Sequence, residues 1–157
     1  MPYALGARSR AQLERVHPRL VSVVELAIGR SVQDFSVHDG ARTQAEQDEL
    51  VRRGASRTRN SRHLVQPDGY GHAVDLVPWI NGQLRWEWAP IYDIAAAMHA
   101  AAIELKVPLV WGGVWERQLN SLPAGRSAMK AAVEQYCLRH PGPDFIDGPH
   151  FELARGL

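Results

Sequence analysis

The sequence contains little cysteine and no long apolar stretch. One cysteine, Cys137, occurs in 157 residues, which excludes an internal disulfide framework. No segment approaches the roughly 18 consecutive apolar residues that a membrane-spanning helix needs, so no membrane insertion is expected. The N-terminal residues also lack the apolar core of a secretory signal. These absences predict a protein that is made and folded in a cytoplasm.

Charge of one sign is not in excess either. The sequence has 18 Lys and Arg against 17 Asp and Glu, which gives a formal net charge of +1. A dedicated nucleic-acid-binding domain would show a strong basic excess or a basic patch, so no nucleic-acid partner is expected. The densest basic stretch, which we interpret as a solvated face, contains Arg52, Arg53, Arg57, Arg59 and Arg62. A monomer is the default expectation.

The length and the hydrophobic periodicity predict one α+β domain over residues 1–157. Helical spacing of apolar residues predicts helices over 13–27, 43–53, 90–105 and 126–139. Pro18 should either kink the first of these or begin a second helix, and Ser9 to Gln12 has the spacing of a capping box. Strands are predicted over 33–38, 73–78, 108–111 and 149–153. Residues 55–72 predict a long loop, and long loops often carry function.

Three segments contain residues suited to chemistry: Gly40 to Gln47, Ser61 to Asp75, and Asp147 to Glu152. A catalytic zinc needs about three nitrogen and oxygen ligands, which His63, Asp75 and His150 could supply. Strand alternation places Asp75 between apolar neighbours, where an unpaired carboxylate would be costly. Each residue alone also has an ordinary structural explanation, such as a hydrogen-bonded cap or an ion pair. Spacing alone does not decide between these interpretations.

The whole pattern resembles a known family. Ser61-Arg-His63, then Gly71-His-Ala-Val-Asp75, then Asp147-Gly-Pro-His150 is similar to the zinc peptidases that include D-Ala-D-Ala carboxypeptidases and phage L-alanyl-D-glutamate endopeptidases. Gly40-Ala-Arg42 followed by Gln47 resembles a further family segment, and Trp111-Gly-Gly-Val-Trp115 resembles an element of the endopeptidase branch. The likeness spans residues 5–153. It implies a Hedgehog/DD-peptidase-like fold, with a small, mostly antiparallel sheet flanked by helices.

The resemblance also implies roles for individual residues. His63, Asp75 and His150 would hold Zn²⁺, and Asp147 would be the general base. Arg42 would face the scissile carbonyl or a substrate carboxylate. The remaining residues expected at the substrate are Gln47, Ser61, Trp111 and Trp115. Ser61, two residues before a ligand, is interpreted as a hydrogen-bonding support rather than a nucleophile.

Two rival assignments and two departures from the family pattern stay open at this point. The segment between His63 and Asp75 is longer than usual, with Val65 to Gly69 as a predicted loop insertion and Asp68-Gly69 as its turn. This insertion leaves His72 as a rival ligand, although His63 carries the motif. Glu152 could orient His150 or could itself be the base. Val114 stands where the family often has a polar residue.

The resemblance predicts an endopeptidase that cuts the L-Ala–D-Glu bond in the stem peptide of peptidoglycan. The nearest alternative is a carboxypeptidase of the same family, which removes terminal D-Ala. A zinc-containing wall-binding module without catalysis is an alternative of a different class. The missing export signal and the small size favour a phage lysis enzyme. Such an enzyme would wait in the host cytoplasm and act on the periplasmic cell wall after release through a membrane pore.

Overall fold

The computed structural model describes residues 2–56, 61–142 and 146–156. The helices are α1 Ala7–Gln12, α2 Pro18–Arg30, α3 Gln44–Arg52, α4 Trp88–Leu105 and α5 Arg126–Arg139. The strands are β1 Phe35–Asp39, β2 Ala73–Ile80, β3 Gln83–Leu84, β4 Leu109–Trp111, β5 Val114–Gln118 and β6 His150–Leu153. A 3₁₀ turn, Leu119–Ser121, follows β5. None of the helices in the described ranges combines the length and apolarity that crossing a bilayer requires.

The strands form one sheet in the order β1-β2-β6-β4-β5, and β3 pairs with the end of β2. Every pair of neighbouring strands is antiparallel. This architecture confirms the predicted α+β class with a small antiparallel sheet flanked by helices.

One face of the sheet packs on the core. Val74 and Leu76 of β2 and Phe151 and Leu153 of β6 are buried there, and α4 packs against both β2 and α2. Burial of each such side chain stabilises the fold by about 1.5–3 kcal/mol. Because successive side chains alternate between faces, the intervening residues of β2 and β6 point to the opposite face.

Strand register brings polar residues of three strands side by side. Asp75 of β2 is paired with Asp39 of β1 on one side and with His150 of β6 on the other. A bulge between Val37 and Asp39 inserts His38 as an extra residue in β1. Bulges bend the local strand and re-aim side chains, and this one places Asp39 opposite Asp75.

The structure decides two predictions about the N-terminal helices. Pro18 begins α2 instead of kinking a longer helix, which is the second of the two alternatives. Ser9 lies inside α1, whose N-cap is Gly6, so the predicted capping box is wrong. Its buried hydroxyl accepts a 3.0 Å hydrogen bond from the backbone N–H of Val37, so it pairs with a backbone group of the edge strand β1.

Strands β3 and β5 were not predicted. Gly112 and Gly113 form the turn between β4 and β5, so the Trp-Gly-Gly-Val-Trp segment is a hairpin. A two-residue turn with glycine is a typical hairpin signal. The strands on either side are too short to show a clear alternating pattern in the sequence, so the hairpin was not predicted.

Candidate metal centre and active site

His63 lies on the loop before β2 and is held by backbone and side-chain hydrogen bonds. Its ring is buried, and Nδ1 lies 2.8 Å from the carbonyl oxygen of Gly40, to which it donates. Its backbone N–H donates to Ser61 Oγ at 3.1 Å, and its carbonyl accepts from the backbone N–H of Arg42 at 2.7 Å. These contacts leave Nε2 directed toward Asp75 Oδ1, 3.3 Å away. Ser61 therefore supports the histidine, as its position in the sequence suggested.

His150 reaches the same carboxylate from the neighbouring strand. Its Nδ1 lies 3.2 Å from Asp75 Oδ1. Its Nε2, on the opposite side of the ring, lies 2.8 Å from Glu152 Oε1. Glu152 therefore sits behind the histidine and orients it. This position favours the orienting role for Glu152 over the role of base.

The three side chains form a group that could hold a metal ion. One ligand atom from each of His63, Asp75 and His150 lies within 4.8 Å of the others. Zinc–ligand bonds of about 2.0–2.1 Å place two tetrahedral ligands about 3.3–3.4 Å apart, close to both histidine–aspartate distances. Each histidine also donates its other ring N–H to a fixed oxygen, which is the usual outer support of a ligating imidazole. The donor set and its spacing fit a zinc ion.

Hydrogen bonds and charges within the group shift the pKa values of Asp75 and His150. Burial alone would raise the pKa of Asp75, but hydrogen bonds from His150 and His63 hold it far below its ordinary value. Burial alone would lower the pKa of His150, but its hydrogen bonds to Asp75 and Glu152 raise the pKa to about 9. In the metal-free protein, Asp75 is therefore an anion between histidines, one of which is protonated at neutral pH.

Asp147 lies just before β6 and shares the electrostatic environment of the group. Burial raises the pKa of its carboxyl group, and the negative charge of Asp75 raises it further. His150, His63 and Arg42 act in the opposite direction. A carboxylate with a raised pKa is a stronger base, so Asp147 is suited to accept a proton at this site.

The glycines of the β4–β5 hairpin fix the position of Asp147. The Asp147 N–H donates to the carbonyl of Gly112 at 2.8 Å, and the Gly112 N–H donates to the carbonyl of His150 at the same distance. A Cβ atom on Gly112 would overlap the backbone carbonyl of Asp147. Only glycine allows this close approach, so the hairpin positions both Asp147 and His150.

Arg42 is fixed beside the group by two partners. Its Nε donates to Asp39 Oδ2 at 2.7 Å, its Nη2 also donates to Asp39, and its Nη1 donates to Gln47 Oε1 at 2.8 Å. The Nη2 atom lies 3.9 Å from Asp75 Oδ2. Arg42 therefore holds a permanent positive charge at the rim of the group. Asp39 was not predicted, although an Asp-Gly pair just before the arginine was visible in the sequence.

Two residues expected at the substrate are buried instead. Gln47 is 0% exposed, and its amide also donates to Ser56 Oγ at 3.0 Å, so it orients Arg42 from the interior. Trp111 is 0% exposed, and its indole N–H donates to the carbonyl of Gly148 at 2.7 Å. Neither side chain offers a surface to a substrate, which corrects both expectations. Trp115 is half-buried, and its ring centroid lies 5.3 Å from that of His150.

The rival ligand His72 is held outside the group. Its Nε2 lies 2.7 Å from Asp68 Oδ2, and its Nδ1 lies 3.1 Å from Arg62 Nη2. Asp68 belongs to the predicted insertion, where Gly69 adopts a left-handed φ of 89° and donates to the carbonyl of Gln66. The insertion thus forms the expected turn. Its Asp68 side chain contacts the His72 ring, so His72 is not a member of the group around Asp75.

Only part of the basic stretch forms the solvated face that was predicted. Arg52 and Arg53 are solvated and pair with Glu49, whereas Arg57 and Arg59 lie outside the described residues. Arg62 is mostly buried, and its Nε lies 3.8 Å from Glu152 Oε2. This second contact helps to fix the carboxylate behind His150, a role that its sequence context did not reveal.

Replacing Glu152 with Gln should weaken metal binding about 10–100-fold. The amide can still accept from His150 Nε2 through its oxygen, so the geometry is retained while the negative charge behind the ring is lost. Competition with a chromogenic chelator measures the change in affinity.

Glu116→Gln is the matched control, because Glu116 also accepts from a histidine ring, His140 Nε2 at 2.9 Å, but on the surface. This control should bind metal like the wild type. Equal affinity of Glu152→Gln and wild type would show that Glu152 does not tune the site.

Comparisons with known proteins agree with this geometry. Residues 1–131 match the family described as phage L-alanyl-D-glutamate peptidase. The chain is 30% identical to the L-alanyl-D-glutamate peptidase of Escherichia phage T5 over 119 residues, covering 73% of this chain and 83% of that protein. The crystal structure of the Serratia marcescens L-Ala D-Glu endopeptidase ChiX superimposes with a TM-score of 0.68 and 37% identity, covering 94% of this chain and 87% of that one. The chain therefore belongs to the phage L-alanyl-D-glutamate peptidase family.

Proposed function

We propose that this protein is a zinc-dependent peptidoglycan endopeptidase that hydrolyses the L-Ala–D-Glu bond of the stem peptide. The observation that carries the proposal is the convergence of His63, Asp75 and His150 at the spacing of tetrahedral ligands, in a chain of this family. Both named relatives are peptidases or endopeptidases of that bond.

His63 Nε2, His150 Nδ1 and a carboxylate oxygen of Asp75 would hold the ion. Bound zinc supplies Lewis acidity, which polarises a carbonyl group and makes water a usable nucleophile at neutral pH. The outer contacts with Gly40 and Glu152 keep both imidazoles in the tautomer that presents a lone pair to the ion.

Asp147 accepts the proton of the attacking water and returns it to the leaving amine. Its raised pKa suits both transfers, because a base that binds its proton more tightly takes it more readily and remains able to release it. The close backbone contact with Gly112 fixes the position of Asp147 relative to the hairpin.

Arg42 stabilises the negative charge that develops on the carbonyl oxygen during attack. Three of its N–H groups are committed to Asp39 and Gln47, so the guanidinium needs no reorganisation when that charge appears. Trp115, packed near His150, provides an apolar wall beside the reacting bond.

Digestion of purified peptidoglycan followed by mass spectrometry tests the proposal. The expected products are stem peptides that begin with D-Glu and glycan strands that retain L-Ala. Release of terminal D-Ala alone would identify a carboxypeptidase and contradict the proposal. Binding to the wall without any released peptide would instead identify a non-catalytic module.

A further inference from the structure

Two exposed tryptophans lie toward the far end of β2, Trp79 on the strand itself and Trp86 in the segment between β3 and α4. Trp79 is 40% exposed and Trp86 is 54% exposed, although both are large aromatic side chains. Exposed aromatic side chains that cluster together mark binding surfaces more often than isolated ones do. His38 joins them, because its ring lies 5.2 Å from that of Trp86 in a perpendicular arrangement.

Trp79 shares a face of the sheet with Asp75. Val74 and Leu76 of β2 point into the core, so Asp75, Val77 and Trp79 point to the other face. Trp79 lies four residues beyond Asp75, which corresponds to roughly 13 Å along the strand. His38 is the neighbour of Asp39, the cross-strand partner of Asp75. The aromatic cluster of Trp79, Trp86 and His38 thus begins beside the metal group and extends toward the end of β2.

A cavity of about 480 Å³ adjoins this cluster. Its lining combines the apolar surfaces of Trp79 and Leu84 with polar groups of Gln12, Asp34, Ser36 and His38. This size lies within the usual range for small-molecule sites of about 300–1,000 Å³. A sugar ring has an apolar C–H face and polar hydroxyl edges, and it needs this combination of an aromatic plane and hydrogen-bonding groups.

The opposite end of β2 has a different chemistry. Arg62, His72 and Arg155 line a second cavity of about 390 Å³ there, together with Asp68, whose carboxylate contacts His72. The surroundings of an L-Ala–D-Glu bond are asymmetric in the same way. The sugar that carries the stem is attached on the amino side of L-Ala, and the carboxylates of the stem lie on the other side.

We propose that Trp79, Trp86 and His38 form a subsite for the sugar of the glycan strand, so that the enzyme prefers stem peptides that are still attached to glycan. This inference rests on the proposed function, because it takes the scissile bond to lie at the metal group. L-Ala and the lactyl arm of the sugar together span about two extended residues, roughly 7 Å. The rings of the disaccharide extend the substrate further along β2, toward Trp79 and Trp86.

The first experiment compares hydrolysis of two substrates, the disaccharide-linked stem peptide and the same peptide without sugar. Loss of one aromatic stacking contact costs about 1–3 kcal/mol, which corresponds to roughly 5–150-fold. Trp86→Ala should therefore lower kcat/KM on the sugar-linked substrate about fivefold or more beyond its effect on the free peptide. Trp86→Phe should restore most of the difference. Leu138→Ala, which removes an exposed side chain on α5, should leave both rates unchanged.

The second experiment measures sugar binding without catalysis. The peptide-free disaccharide of N-acetylglucosamine and N-acetylmuramic acid is titrated into the protein while the indole N–H resonances are followed by NMR. Shifts of the Trp79 and Trp86 signals, with weaker binding in Trp86→Ala, support the subsite. Absence of binding, or equal losses on the two substrates in an active enzyme, overturns it. If neither substrate is cut but the disaccharide still shifts these signals, the proposed function fails and the sugar site stands.

Discussion

Replacing Asp147 with Asn should lower the rate of stem-peptide hydrolysis by about 10²–10⁴-fold while the bound metal is retained. Asparagine has the same shape as aspartate but cannot accept the proton of the attacking water. The contacts that hold this residue in place, with Gly112 and His150, use its backbone N–H and carbonyl, so they survive the substitution. Metal content by atomic spectroscopy and rates on purified peptidoglycan together separate loss of the base from loss of the ion.

Asp93→Asn is a suitable control, because Asp93 pairs with Arg126 at 3.0 Å on the surface between α4 and α5. This control should keep full activity. If Asp147→Asn retained wild-type activity while Glu152→Gln lost it with its metal bound, the two carboxylates would have to exchange roles. Glu152 hydrogen-bonds His150 on the side away from Asp75, which argues against that exchange.

The sequence predicted the faces of the strands better than their order. Alternation alone placed Asp75 between apolar neighbours that point the other way, and the burial of Val74 and Leu76 agrees with it. The insertion of β6 between β2 and β4 was not predictable, because it depends on pairing between residues 75 positions apart. Local patterns carry no information about such long-range register.

The same limit explains why two expected substrate contacts lie in the interior. Gln47 and Trp111 occur in motifs that also contain accessible site residues, and a motif does not distinguish a residue that touches the substrate from one that holds its neighbour. Gln47 reaches Arg42 from α3, and Trp111 reaches Gly148 across the sheet. Both contacts depend on tertiary packing, so only the structure reveals that these residues act through others.

Motif position in the sequence favoured His63 over His72 as the metal ligand, and the hydrogen bonds of His72 in the structure agree with that assignment. The Asp68-Gly69 turn was predictable from its residues, since glycine adopts the left-handed conformation there. That the same Asp68 would capture His72 was not predictable, because the side-chain direction of a turn residue depends on the complete loop.

Removing the metal should abolish hydrolysis and lower the thermal stability of the protein. A ligand present at about 100 times its Kd stabilises the folded state by about 2.7 kcal/mol. For a chain of this length each kcal/mol shifts Tm by roughly 2–4 °C, so stripping the ion should lower Tm by about 5–10 °C. Calorimetry of the protein before and after chelation, and again after addition of zinc, measures this shift. His63→Ala should show the low Tm of the stripped protein and should not respond to zinc.

The size of this shift should depend on pH in a defined direction. In the metal-free protein the pKa of His150 is raised to about 9, so its proton stabilises the folded state fully below about pH 6.5, the unfolded value, and this stabilisation is lost as the pH rises through about 9. A ligating nitrogen must be deprotonated, so zinc competes with that proton and binds more tightly as the pH rises. The proton that stabilises the stripped protein is the one that zinc must displace, so the difference in Tm between the zinc-loaded and stripped proteins should increase from pH 6.5 to pH 9. A difference that stayed constant or fell over this range would show that His150 is not a ligand.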